Sequence, residues 1–443
     1  MTLSRLITLF HYLRYSGGIA MMFNGFPLVF FIRDTLHIGP ATNVFTAFFF
    51  ALALLLMFPT HLFIRLYKPN FTLLKYAMGF LVIAFYHFIF MNYSEFDWFI
   101  ELGNFLFTIA FIFLLIHVPN DVKEVLMVII FLAALFSNLT LVYSLLTDPS
   151  WRIGMRAAVT FENAGAQEGG NPHIAARNGV ICLLAALTLI SQYKGALIRL
   201  FLFFSIIFSL AVVVLAQAKS SLLALGIMAA FYMTFQANFS QMLRSAKSLF
   251  SVRNAVIFLI CWFLFGLLLS RYGDLVGVLY GYWGNFQDKI MDIIFTAFGL
   301  QISGTANIDA SAMGRVSSLS FFQNALEGAP HVLLIGLGYK AAFLDVPLVE
   351  SIVNHGIFGF IFFAGFNYYL LVYSIKELRK NSNPLSLFLA YFFIYFIIML
   401  ISNGRPYDVS FWFPYALMIR FLGIKYLDSP QYKENKNSAL TTV

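Results

Sequence analysis

Hydrophobic positions along this chain fall into long runs separated by polar turns, and the runs dictate most of what can be predicted. They cover approximately 16–32, 43–64, 71–92, 98–117, 125–146, 173–192, 197–216, 220–238, 254–270, 348–375, 385–402 and 409–424. Most are about 17–25 residues long, enough for a helix to cross a hydrocarbon layer of about 30 Å. A β-barrel would instead show alternating segments of about ten residues. The pattern predicts an all-α polytopic membrane protein with about twelve transmembrane helices. Residues 1–270 would carry the first nine helices, 271–347 a large loop outside the membrane, 348–427 the last three helices and 428–443 a cytoplasmic tail. The first run continues into a spanning pattern without a small-residue cleavage site, so no cleaved signal peptide is expected.

Two polar interruptions stand out. Residues 147–172 (TDPSWRIGMRAAVTFENAGAQEGGNP) are Gly-rich and end in Asn171-Pro172, a turn signal ahead of a helix. Residues 271–347 are far longer than a connector needs, and long loops are usually functional. Within them, DLVGVLYGYWGNF and MDIIFTAFGLQI read as short helices lying at the interface.

Composition narrows the class. The chain is 60% hydrophobic and only 11% charged, against about a quarter charged in soluble domains. A net charge of +8 raises nucleic acid as a partner, but the charges are scattered through short loops, where they set topology. With the N-terminus in the cytoplasm, Lys194 and Arg199, Arg244, Lys247 and Arg253, and Lys376, Arg379 and Lys380 gather on that side. The bias predicts both termini inside and the two long loops outside. Cys182 and Cys261 lie within apolar runs and form no metal cluster. There is no nucleotide-binding glycine loop and no metal-spaced His/Cys set, so no cofactor is expected.

Charges at the ends of spans carry the candidate chemistry, because an ionisable group there is costly and usually faces a polar cavity or a substrate path. Lys219 falls at a Gln-Ala-Lys-Ser break between two helices. With Ser220 as a cap, its ammonium would join a helix N-terminus in an anion site; the alternative is a lysine that snorkels to the interface. His173 and Arg177 share a helix face at i, i+4 and could line a pocket with Asn171, unless Arg177 only pairs with Glu162. Arg152 and Arg156 make either a cationic face or plain loop charges. Arg405 has Asp408 close by. Arg315 heads an amphipathic helix with Leu319, Phe322 and Leu326 on one face, or else serves a salt bridge. Lys219, Arg315, Arg177 and Arg405 together suit a diphosphate, since charge-assisted bonds from Arg and Lys are the strong class. An anion met at a membrane surface suggests a lipid-linked diphosphate.

Three stretches resemble the superfamily of bacterial O-antigen polymerases and O-antigen ligases. Ala218-Lys219-Ser220-Ser221-Leu222-Leu223-Ala224-Leu225 is similar to the family's Ser-Arg-Gly-x-Leu-Leu-Ala stretch, with Lys for Arg. Ser311 to Gly338 resembles the arginine-bearing segment of its large periplasmic loop, through Arg315, Ala325-Leu326, Pro330 and Gly336-Leu337-Gly338. Val349 to Phe360, with Gly356-Ile357-Phe358-Gly359, resembles the helix that follows. Topology extends the likeness over most of the chain.

The resemblance implies an inner-membrane glycosyltransferase using undecaprenyl-diphosphate-linked oligosaccharide at its periplasmic face, without nucleotide or metal. Membrane lipid and a polysaccharide chain-length regulator are the candidate partners, and nucleic acid is not one. Ligases carry a His-Asn pair eleven or so positions before the Gly-x-x-Gly. Here that count back from Gly356 reaches Asp345, which favours a polymerase, with a ligase and more remotely a flippase as alternatives. Arg315 and Lys219 are then expected to hold the departing diphosphate. Asp345 is the expected base, or else the partner of Lys340, and Glu350 and His355 are its rivals. Arg177, His173, Arg405 and Arg156 would contribute to binding.

Overall fold

The computed structural model describes residues 3–40, 42–59, 66–92, 97–148, 151, 157, 172–235, 310–380, 383–402 and 404–424, with isolated positions between 259 and 287. Among these, every element is helical. The long helices are α1 (Leu3–Asn24), α3 (Asn43–Met57), α4 (Phe71–Phe90), α5 (Trp98–Ile116), α6 (Val122–Thr147), α7 (Pro172–Ile190), α8 (Ala196–Leu215) and α9 (Lys219–Phe235). A short α2 (Phe26–Phe30) runs into a π-helical turn, Phe31–Thr35, between α1 and α3. After the long polar interval come α10 (Ala310–Gly328), α11 (Pro330–Ile335), α12 (Pro347–Lys380), α13 (Pro384–Ser402) and α14 (Val409–Phe421).

Every predicted run except 254–270, which lies almost wholly outside the described residues, coincides with a helix. Seven helices are long and apolar enough to cross a membrane, or eight if the bent pair at the N-terminus counts as one. The expected dozen is thus not reached among the described residues: Asn43–Met57 is short, as is Ser220–Phe235, and α14 has 13 residues. Most of the first interfacial helix expected within 274–302, all of the second, most of the loop 147–172 and the tail 428–443 also fall outside the described residues.

Proline sets several boundaries. It opens α7, α11, α12 and α13, where its missing N–H would have been unpaired anyway. It also breaks the first span, which the sequence pattern places at 16–32. The helix instead starts at Leu3 and bends by 82° at Gly25. Pro27 cannot donate to the carbonyl four residues back, that of Phe23. Pro414 inside α14 leaves the Ser410 carbonyl in the same position. Arg177 answers both: its Nη1 donates to Ser410 O at 2.7 Å and its Nη2 to Phe23 O at 3.2 Å. Its guanidinium also lies over Phe392 and Phe396. One arginine on α7 therefore fastens two proline-interrupted helices, which accounts for a charge placed inside the bundle.

Beside it, Asn24 donates to Asn178, which donates to Asn138 (2.7 Å) and Ala134 O (2.9 Å), and Asn138 reaches Ser209 (3.3 Å). At the opposite end of the bundle the buried Arg420 donates to Leu115 O, Val118 O and Asn120 Oδ1, closing the C-terminus of α5. A continuous core of aromatic and aliphatic side chains from α1, α4–α7, α12, α13 and α14 fills the space between these ends. A second, small core of Leu333, Leu344 and Val353, with Phe322, Ala325 and Leu337 packed on it, lies under α10 and α11.

Candidate functional site

The site is built where α12 breaks. Gly356 has φ 66° and ψ −172°, and Gly336 has φ 97° and ψ 157°, a region essentially reserved for glycine. The break strips the carbonyls of Val353 and Asn354 of their helical partners, and the Gly336–Gly338 turn supplies replacements. Leu337 N donates to Val353 O (2.8 Å) and Gly338 N to Asn354 O (3.0 Å). The approach is so close that a Cβ on Gly336 would stand 2.5 Å from Asn354 O. The two glycine motifs singled out in the sequence are thus two halves of one joint.

From this joint the chain 339–346 is pinned side by side with α12. Tyr339 N donates to Met91 O (3.0 Å). Ala342 and the Asn354 side chain exchange two hydrogen bonds (3.0 and 2.9 Å), Leu344 N donates to Glu350 Oε2 (3.2 Å), and Asp345 N to Ser318 Oγ (3.0 Å) on α10. Glu350, fully buried, is the hub. Its carboxylate accepts from Tyr407 OH (2.5 Å) and Asn354 Nδ2 (3.2 Å), with Arg405 Nε at 3.8 Å. Arg405 Nη1 in turn donates to Tyr407 OH (3.0 Å). Asp408, which the sequence offers as Arg405's partner, instead caps α14 by accepting from Ser410 N (2.9 Å).

A second carboxylate completes the arrangement. Glu101, in the first turn of α5, pairs with Lys340 and accepts from Tyr339 OH (2.7 Å). The Tyr339 and Tyr407 rings lie 4.7 Å apart. Lys340 and Arg405 flank Tyr407, at 5.7 and 5.8 Å from its ring centre, and both keep about a fifth of their surface exposed, at 21% and 22%. Burial, and then the adjoining carboxylates Glu101 and Glu350, hold the phenols of Tyr339 and Tyr407 protonated well above the ordinary tyrosine range. They are therefore hydrogen-bond donors throughout the physiological range.

Asp345 is half-buried and lies against α10, where its carboxylate packs directly over the backbone of Gly314. The next residue, Arg315, is in the second turn of that helix; its side chain, like that of Lys219, lies outside the described residues. The structure thus brings Asp345 beside the Arg315-bearing turn, and brings Glu350 together with Arg405. The stripe expected for α10 is not one buried face: Phe322 packs inward, whereas Leu319 and Leu326 are exposed.

The remaining candidates are elsewhere. His355 is 1% exposed, and neither ring nitrogen has a hydrogen-bond partner. It is packed among Phe80, His87, Tyr339 and Tyr407. Arg177 is committed to α1 and α14, and His173, half-buried, is the second residue of α7. Arg156 lies outside the described residues. Lys219 opens α9 directly after a tight reversal at Gln217 (φ 51°). Ser220 is inside that first turn and not at its cap, and its buried Oγ has no hydrogen-bond partner. Tyr407 and Glu101 were not among the sequence candidates. The available signal for Glu101 was its acid in the first turn of an otherwise apolar span, which demands a partner.

No protein-family model matches the chain, and no curated protein matches it significantly.

Proposed function

We propose that the chain is a metal-independent glycosyltransferase of the polysaccharide-polymerase kind, joining undecaprenyl-diphosphate-linked repeat units at the periplasmic face of a bacterial inner membrane, with both termini cytoplasmic. The observation that carries the reading is the docking of Asp345 beside the Arg315-bearing turn of α10, at the same end of the bundle as the partly exposed Lys340 and Arg405. In the proposed reaction an acceptor sugar hydroxyl attacks the anomeric carbon of the lipid-linked chain. The new glycosidic C–O bond forms as the bond to the diphosphate breaks, and the hydroxyl proton passes to Asp345. Arg315 and Lys219 neutralise the departing diphosphate, a preorganised electrostatic contribution often worth several kcal/mol. Glu350 and Glu101, each buried or nearly so, orient Arg405 and Lys340.

Ligase chemistry at the same site remains the near alternative, with the glycan passed to lipid A-core. A transporter reading draws on a separate observation, the interrupted first helix beside the Asn24–Asn178–Asn138 chain, of which Asn178 and Asn138 are buried, since broken helices mark many transport sites. Gel analysis of surface glycan from a deletion strain separates the three. Single repeat units on the surface support a polymerase. Loss of all capped lipopolysaccharide, with lipid-linked polymer retained outside, supports a ligase, and intermediates trapped on the cytoplasmic side support a flippase.

A further inference from the structure

We propose that Phe343 is a stacking platform for a sugar ring of the acceptor glycan, a step that rests on the glycosyl-transfer reading above. Phe343 is 66% exposed, yet it does not stand on a loose loop. Ala342 on one side is held by both atoms of the Asn354 amide, and on the other side Leu344 is buried with its N–H on Glu350. The backbone is fixed on both sides of an aromatic ring that it holds out of the protein.

One side of the ring already has an occupant. The Arg405 guanidinium lies 4.5 Å from the ring centre, itself oriented by Tyr407. The exposed remainder offers a flat π surface, whose negative potential attracts the weakly positive C–H groups of a pyranose face. Arg405 and Asp345 can meet hydroxyl groups at the edge of such a ring, one as donor and the other as acceptor. Asp345 is only two residues along the same pinned segment, so a sugar seated on Phe343 is held next to the proposed base. Insertion into hydrocarbon fits the neighbourhood poorly, because Arg405, Asp345 and Lys340 would be carried with the ring into a medium where charges are costly.

The test replaces Phe343 in the protein that complements a deletion strain, with polymer measured by gel and protein measured in the membrane fraction. Phe343→Leu keeps apolar bulk but removes the flat ring, and should lower polymer about tenfold at unchanged protein level. Phe343→Trp keeps a flat ring and should retain polymer. Wild-type polymer from Phe343→Leu would overturn the platform and mark Phe343 as a lipid contact. So would Phe343→Trp failing as badly as Phe343→Leu at equal abundance. If the deletion itself leaves surface glycan unchanged, the glycosyl-transfer reading fails, whatever Phe343 does.

Discussion

Glu350 shows how much one buried carboxylate can organise. Three donors converge on it, from Tyr407, Leu344 and Asn354, and Arg405 stands beside it. Glu350→Ala strands those groups and should cost about 3–5 kcal/mol, the usual penalty for breaking a buried charged pair. Glu350→Gln keeps an acceptor for Tyr407 and should cost less, about 1–3 kcal/mol; thermal unfolding in detergent distinguishes the two, and equal midpoints would contradict the hub. The tyrosines add a pH dependence with a definite sign. Because the folded protein raises the Tyr407 and Tyr339 phenols above 10.0, their contribution is complete below that ordinary value. It is lost as pH rises beyond it, when the unfolded chain ionises first. The midpoint should therefore hold steady through mildly alkaline pH and fall at higher pH, with a shallower fall in Tyr407→Phe.

At the scale of elements, the prolines and glycines explain why helices end or bend where they do. Arg177→Ala should leave the Phe23 and Ser410 carbonyls unpaired, at about 1–3 kcal/mol each. In a Pro414→Ala background the new N–H can reach Ser410 O, so removing Arg177 should cost less there, by about 1 kcal/mol of coupling. Strict additivity in that double-mutant cycle would contradict the bridging role. Helix positions were largely legible in the sequence, because uninterrupted apolar runs determine them. The break at Gly25 was not, because the hydropathy of 16–32 is continuous and the bend depends on Pro27 together with an arginine on another helix. The joint at Gly336 and Gly356 was half legible. Both motifs are visible in the sequence, but their contact across the break requires φ values that no spacing reveals.

At the scale of the molecule, the ends of α4, α5 and α12 bring together residues as far apart as Glu101 and Lys340. Pairing over such a separation leaves no trace in a single sequence. That is why Glu101 and Tyr407 were missed while Asp345, Glu350 and Arg405 were found. The proposed topology, with this cluster on the periplasmic side, is directly testable. In a background without Cys182 and Cys261, Ala341→Cys should react with an impermeant maleimide in whole cells. Lys380→Cys, at the other end of α12, should react only after lysis; the reverse pattern would invert the protein in the membrane.

The central claim is that a cation on α10, next to Asp345, supports lipid-linked glycan transfer. Gel analysis of surface polysaccharide from a deletion strain complemented with Arg315→Ala tests it most directly, with membrane-fraction protein as the control. The account predicts that chain elongation disappears while the protein remains in the membrane at its normal level. Full-length polysaccharide from that strain would contradict it.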